Sequence, residues 1–468
     1  MTDKELFGEL SYERKNVYEA VSDTEKKAMF SLCDEYREFL DNGKTERECV
    51  ETAVKMAKEH GFEALDTKLS LKPGDKVYCV NRNKNVFLAV IGKDDITNGL
   101  NLVGAHIDSP RLDLKQNPLY ESTDMALLKT HYYGGIKKYQ WPTIPLSLHG
   151  VIYTRDGEKL TINIGEAETD PVFCITDLLP HLAQNQMTKK MTEGIEGESL
   201  NILIGGIPVG KDIKEKVKFG ILKLLNDKYN IRERDFISAE IEAVPAFKAR
   251  NIGLDESFIG AYGQDDRVCA YTTIKAIFDA KNIKKTAVAL LVDKEEIGSA
   301  GNTGMLSAFF EMAVAELVEK VNGSCSVTTL NKTLANSACM SSDVSAAVDP
   351  NYESEFEKNN STFAGCGMAL VKYTGARGKS GSSDANAEFV YKICKIMDEN
   401  NVIWQTGELG KVDHGGGGTI AQYVANLNMD VIDCGVPVLS MHSPYEVTSK
   451  ADVYMAYKSY IAFYECMD

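Results

Sequence analysis

No stretch of the chain is long and apolar enough to cross a bilayer. The N-terminus, MTDKELFGELSYERKNVYEA, is broken by charges throughout and has no apolar core of signal-peptide length. A cytoplasmic location is therefore expected, with no membrane contact. Cysteine supplies no framework either. The 11 cysteines are odd in number and form no C-x-x-C pair. Cys33, Cys269, Cys339 and Cys434 lie in apolar runs and read as reduced, buried thiols. Positive charge is in deficit: 52 Lys and Arg face 68 Asp and Glu, a formal net charge of -16. Nucleic acids and anionic membranes need a basic face, so neither is expected as a partner. An acidic substrate stays possible, provided the site carries local positive charge. Internal repeats, low-complexity tracts and heptads are also missing. The glycine cluster in "DHGGGGTIA" lacks both the strand–GxGxxG–helix spacing and the P-loop Lys-Ser/Thr pair, so it reads as a close backbone turn.

At 468 residues the chain exceeds what one core usually serves, so at least two domains are expected. Thr24 to Leu40 and Thr45 to His60 space their apolar residues by three and four, as helices do, and Ser22 or Asp23 can cap the first. Strand-like runs follow at Lys76 to Ile91 and Gly99 to His106. From Asn117 to about Pro245 the pattern changes to short alternating runs such as "LHGVIYTRDG" and "EKLTINIG", which read as hairpins, with a helical stretch around Asp177 to Gln186. After Pro245 the α/β pattern returns. "KKTAVALLVDKEEIGS" is a continuous apolar run, hence a strand buried on both faces, ending in two carboxylates. Helices are expected over Val268 to Asp279 and Ala385 to Glu399. The expected fold is α/β: a mixed-sheet catalytic domain, 1–116 and 246–468, interrupted by a β-rich domain, 117–245.

Histidine is scarce, with seven in the chain, yet His106 and His442 each end a strand-like run beside Ser-Pro. Asp108, two residues after His106, has the spacing of a carboxylate that accepts the second ring N–H of a metal-bound imidazole. Alone, an H-x-D is a weak signal and a structural histidine the better reading. The carboxylates change this. "GQDDRV" offers Asp265 and Asp266, "DKEEIGS" offers Glu295 and Glu296, and "SSDVSAA" offers Asp343. Any one pair could be solvated loop acid. Vicinal acids beyond apolar strands are costly if buried unpaired, so something positive should sit between them. Five separate strand ends delivering His106, Asp265, Glu296, Asp343 and His442 suit two divalent ions roughly 3.5–4 Å apart, with Asp265 free to bridge. Zinc fits best, with cobalt or manganese as alternatives. Of two adjacent side chains on an extended segment, one can face the metal and the other the substrate. Glu296 is then the ligand, and Glu295 the general base for a water.

Five blocks, "GAHIDSPRLDLK", "GQDDRVCAY", "DKEEIGSAG", "SSDVSAAVDPNY" and "CGVPVLSMHSPYEV", occur in the order found in the aspartyl aminopeptidase family of metallopeptidases, which the chain resembles over most of its length. The resemblance implies a di-zinc centre held by His106, Asp265, Glu296, Asp343 and His442, with Glu295 as the catalytic glutamate and Asp108 orienting His106. It implies removal of an N-terminal Asp or Glu from peptides, and self-association into a tetrahedral dodecamer. By motif, Lys372 in "GMALVKYTG" falls on the lysine that meets an acidic substrate side chain. His181 in "LLPHLAQN" resembles a histidine that reaches a neighbouring subunit's site. Two departures touch specificity. The tyrosine usual a few residues after that lysine is missing from "ARGKSGSSDAN", leaving Lys379 or a backbone N–H to take its part, or the role unfilled. The segment "HYYGGIKKYQWPT" also diverges. Rival readings are the same chemistry with a neutral or basic preference, and a non-catalytic assembly or cargo protein, against which the intact Glu295–Glu296 pair and ligand set argue.

Overall fold

A computed structural model describes residues 1–468. Its centre is a nine-stranded mixed sheet. Four neighbouring strands run parallel through the middle, in the order Thr286–Val292, Leu100–His106, Ala338–Ser342 and Asp430–Gly435. Their side chains explain the continuous apolar runs. Ala287, Ala289 and Leu291 enter one core with the helices Asp23–Asn42, Gln264–Asp279 and Lys450–Cys466. Val288, Leu290 and Val292 enter another with Phe309–Asn322. A strand buried on both faces cannot alternate apolar with polar residues. The α/β architecture is thus the expected one, with antiparallel strands at the sheet's flanks.

Local chemistry sets the helix starts. Ser22 caps Asp23–Asn42 and Thr45 caps Glu46–Glu59, each in a reciprocal capping box with a glutamate three residues on. The stretch from Asp177 to Gln186 departs from the helix expected there. Only Gln184–Met187 is helical. Pro180 disfavours a helical conformation for Leu179, and Leu178, Leu179 and Leu182 are exposed, so no core rewards the coil for ordering.

A second sheet has six strands, all antiparallel, ordered Lys159–Ile164, Leu146–Tyr153, Glu240–Pro245, Arg111–Ser122, Met125–Tyr133 and Ile202–Gly205. It has its own core around Trp141, Leu148 and Phe236, against which the helix Lys216–Tyr229 lies. A third, five-stranded sheet includes Phe258–Ala261 and Glu446–Ser449.

Arg111, at the start of the second sheet, is buried and ties that sheet to the first helices. Its guanidinium lies 3.4 Å from Glu46, 3.3 Å from Glu242 and 2.8 Å from Asp113, and 3.9 Å over the Tyr133 ring. Burial alone would raise the Glu46 carboxyl, but Arg111 and Lys84 outweigh it and hold it well below the ordinary range. A depressed carboxyl contributes stability above its unfolded value of about 4.3, and loses it on acidification. Arg111→Ala strands the buried Glu242 and leaves Glu46 with Lys84 alone, and should cost about 3–5 kcal/mol, read as a lowered urea midpoint. A loss below about 1 kcal/mol would place Arg111 among surface-like pairs and remove it as the tie.

Candidate metal centre

The parallel strands bring their C-terminal ends, where α/β sheets gather chemistry, to one place. His106 ends the strand Leu100–His106, Glu295 and Glu296 follow Thr286–Val292, and Asp343 follows Ala338–Ser342. Asp265 stands at the entry to the helix Gln264–Asp279, and His442 in the turn after Pro437–Leu439. All these side chains converge. His106 Nε2 lies 3.1 Å from Asp265 Oδ1, 3.7 Å from Asp343 and 3.9 Å from Glu295. His442 Nε2 lies 3.2 Å from the other Asp265 oxygen, Oδ2, and 3.4 Å from Glu296. One carboxylate thus faces both imidazoles, each through a different oxygen.

The other ring nitrogens are held from outside. His106 Nδ1 lies 3.0 Å from the Asp108 carbonyl and 3.3 Å from its carboxylate. His442 Nδ1 donates to the carbonyl of Gly135 at 3.0 Å. That leaves both Nε2 atoms facing the centre. Asp108 is fully buried and does more than orient a ring. Its two oxygens also accept the backbone N–H groups of Glu295 (3.1 Å) and Glu296 (3.2 Å) and the Tyr133 hydroxyl (2.8 Å).

Glu446 was not singled out from the sequence, yet it bridges two of the converging residues. It is buried, and its oxygens accept the N–H of Asp265 at 3.0 Å and of His442 at 2.7 Å. His442 has φ 64°, in the left-handed region that costs a non-glycine residue energy. The bond to Glu446 helps offset that cost. Asp266 also enters the cluster. It accepts the backbone N–H of His106 at 3.3 Å and comes within 4.8 Å, ligand atom to ligand atom, of His106 and Asp343.

The electrostatics are lopsided. Burial first, then the charge of Asp343, pushes the Glu295 carboxyl up to about 8. Burial also raises Glu296, Asp343 and Asp266, with neighbouring carboxylates adding to it for Glu296 and Asp266. For Asp265 burial is overcome by the two imidazoles, which hold it well below its ordinary range. His106 and His442 are in turn raised against burial by the carboxylates around them, His442 to about 10. Two oxygens, Glu296 Oε1 and Asp266 Oδ1, are buried without a hydrogen-bond partner. Excess buried negative charge, orphaned carboxylate oxygens and two imidazoles presenting Nε2 make a donor set that fits divalent cations with nitrogen and oxygen ligands.

Over the cluster opens a cleft of about 450 Å³, with Tyr373, Arg377, Lys379 and a run of glycines in its walls. Lys372 is not among its lining residues. It points to Asp384 at 2.6 Å, which also receives Lys379 at 2.9 Å. His181 lies exposed in the loop after Asp177 and is not among the residues lining the cleft.

A family model for aminopeptidase I zinc metalloproteases (M18) matches residues 39–464. The chain belongs to the M18 family of zinc metallopeptidases. A Clostridium acetobutylicum relative named "Probable M18 family aminopeptidase 1" is 52% identical, the match covering 97% of this chain and 99% of the relative. The crystal structure of an M18-family aminopeptidase from Thermotoga maritima superposes with a TM-score of 0.94 at 47% identity, covering 97% of this chain and all of that one. The fold extends to the S. cerevisiae mApe1 dodecamer, at 19% identity and TM-score 0.74, over 92% of this chain and 96% of that one. The protein is therefore an M18 aminopeptidase, a peptide-bond hydrolase of a zinc-dependent family. The supports just described suggest a test. Glu446→Gln puts an amide NH2 against one of two N–H donors and should weaken metal affinity by about 10–100-fold, measured by titration of the stripped protein. Unchanged affinity would leave Glu446 a purely structural residue.

Proposed function

We propose that this M18 enzyme is a two-metal aminopeptidase that removes the N-terminal residue of peptides, with Asp or Glu preferred. One observation carries the two-metal reading: Asp265 presents separate oxygens to His106 and His442. In it, His106, Asp265 and Asp343 would hold one ion, and Asp265, Glu296 and His442 the other. When bound, such ions supply the missing positive charge, bring the pKa of a water toward neutrality and polarise the scissile carbonyl. The protein's part is positional. Glu295, in the cleft and tethered by its N–H to Asp108, takes a proton from the attacking water and returns it to the leaving amine. Glu296, on the same tether, faces His442 instead. Asp108 and Gly135 fix the two imidazoles, so the donor atoms need not reorganise during turnover.

For the acidic preference the support is local charge. Lys372 and Lys379 share one carboxylate, Asp384, leaving that corner net positive, and Lys379 lines the cleft. A substrate carboxylate would complete the pairing. The second reading, a neutral preference, draws on the engagement of Lys372 away from the cleft and on apolar lining at Val371, Leu409 and Met441. Self-assembly is also part of the proposal. Leu178, Leu179, Leu182, Met187 and Met191 are exposed around His181, more apolar surface than one loop of a monomer usually shows. In a closed oligomer, a dodecamer being favoured, the loop would carry His181 to a neighbour.

Glu295→Gln should lower turnover by about two to four orders of magnitude with metal content retained. Glu296→Gln should lower metal content instead. Exchanged phenotypes would reverse the pair. Among aspartyl, glutamyl, leucyl and lysyl substrates, kcat/KM should be highest for the acidic ones, and Lys379→Ala should erase the difference. Leucyl or lysyl peptides cleaved best would keep the chemistry and remove the acidic preference. Light scattering should report a large closed oligomer, and a stable, fully active monomer would remove both the assembly and the role of His181.

A further inference from the structure

The glycine run has a place in the cleft that the proposed chemistry does not use. Gly415, Gly416, Gly417 and Gly418 all line it. Two of them are required by close backbone approach: a Cβ on Gly415 would lie 2.0 Å from the Leu409 carbonyl, and one on Gly416 2.1 Å from that of Gly375. The other two are not. A Cβ on Gly417 would meet nothing nearer than 3.9 Å, and one on Gly418 nothing nearer than 3.4 Å. Bare backbone is therefore kept where a side chain would fit. None of the four N–H groups donates to an acceptor within the chain. Unpaired successive N–H groups on a turn make an anion-binding surface.

Two cations flank this run. The Gly375 N–H donates to the Gly417 carbonyl at 2.6 Å, and a Cβ on Gly416 would sit 2.6 Å from Ala376 Cα, so the backbone of Arg377 follows directly beside the glycines. Lys411 enters from the other end, after Gly410, which approaches Gly415. Both line the cleft, both are exposed, and neither forms an ion pair or side-chain hydrogen bond. The other cation of this wall, Lys379, shares Asp384 with Lys372 and is the one proposed above for the substrate's N-terminal side chain. Of the acids that line the cleft, all but Glu408 belong to the buried cluster, and Glu408 is taken by the Tyr373 hydroxyl, so these cations and N–H groups stand without a paired acid.

We propose that this wall binds the C-terminal carboxylate of a short peptide, making the enzyme selective for short substrates with a free C-terminus. The inference rests on the aminopeptidase reading, which puts the peptide's N-terminal residue at the buried carboxylate cluster. Arg377 and Lys411 line the same cleft but are exposed, unlike the buried cluster, and in this proposal they meet the part of the peptide beyond the scissile bond. An extended chain advances about 3.3–3.6 Å per residue, so only a peptide of a few residues would bring its terminus to a fixed wall.

The test compares Asp-Ala-Ala and Leu-Ala-Ala, each as free acid and as C-terminal amide, on the metal-loaded enzyme. Calorimetric binding of the same peptides to chelator-treated protein runs alongside. The free acids should be favoured about tenfold in kcat/KM, chiefly through KM, as expected of an exposed charge-assisted contact. Binding should follow the same order, and in the R377Q/K411Q double variant both ratios should fall toward one. Equal handling of acid and amide by the wild type, or a ratio unmoved by the double substitution, overturns the proposal. A change in the aspartyl-to-leucyl ratio alone would mean that the wall reads the N-terminal side chain, and overturns it too. Failure of the catalytic reading looks different: no peptide is cleaved, while the acid is still bound more tightly than the amide.

Discussion

Asp108 is the residue on which the geometry of the centre hangs. It is fully buried, and four donors reach it: the His106 ring, the N–H groups of Glu295 and Glu296, and the Tyr133 hydroxyl. Burial works against its charge, but the contacts with His106 and Tyr133 and the charge of Arg111 prevail and keep the carboxyl below its ordinary range. A buried carboxylate satisfied this completely is rigid, because moving any partner exposes a charge to a low-dielectric interior. Through it the end of one central strand and the turn after its neighbour are locked in register. Without it, Glu295 and Glu296 would sit on a turn free to rotate either side chain toward the cleft.

The acid cluster is a different kind of construction. Glu295, Glu296 and Asp343 are crowded at the ends of strands that pair in parallel, and a helix entry adds Asp265 and Asp266, so the fold itself forces them together. The fold bears an electrostatic cost there that its hydrogen bonds only partly offset, as the orphaned oxygens of Glu296 and Asp266 show. Rigid supports around an under-compensated centre are what a cation site requires. The supports hold position, and the deficit of positive charge supplies affinity.

Much of this was legible in the sequence, and what was not has physical reasons. Continuous apolar runs marked the doubly buried strands, and Ser22 and Thr45 marked the helix starts, since both signals are local. Most of the converging residues could be named because they are polar groups placed abruptly beyond an apolar strand, and Asp265 because an acidic pair opens a helix. Glu446 carries no such mark. It sits within an ordinary alternating strand, Glu446–Ser449, and only tertiary structure aims it at Asp265 and His442. The expected helix over Asp177 to Gln186 failed because its apolar spacing faces no core within the chain. Lys372 carried a motif, but its partner, Asp384, lies in the adjoining loop, and the side chain turns to it rather than to the cleft. The glycine run was expected to be a close backbone turn, and it is a place of close backbone approach at Gly415 and Gly416. That it lines a cavity could not be seen without the opposing loop.

The six-stranded sheet bears directly on the centre. Its first hairpin, Arg111–Ser122 with Met125–Tyr133, starts immediately beyond the Asp108 region and returns to the centre. There Tyr133 reaches Asp108, and the Gly135 carbonyl takes the His442 ring N–H. The return is close: a Cβ on Gly134 would meet Glu296 at 3.4 Å, and one on Gly135 would meet the His442 ring at 3.2 Å. These residues belong to the segment "HYYGGIKKYQWPT". Both imidazoles are therefore oriented by groups that depend on where this sheet sits. Arg111, stacked on Tyr133 and bonded to Glu46, fixes that position from behind. A shift of the sheet relative to the first helices would move Tyr133 and Gly135 together, and so disturb both halves of the centre at once. Any assembly that clamps this sheet thereby also clamps the geometry on which the two histidines depend.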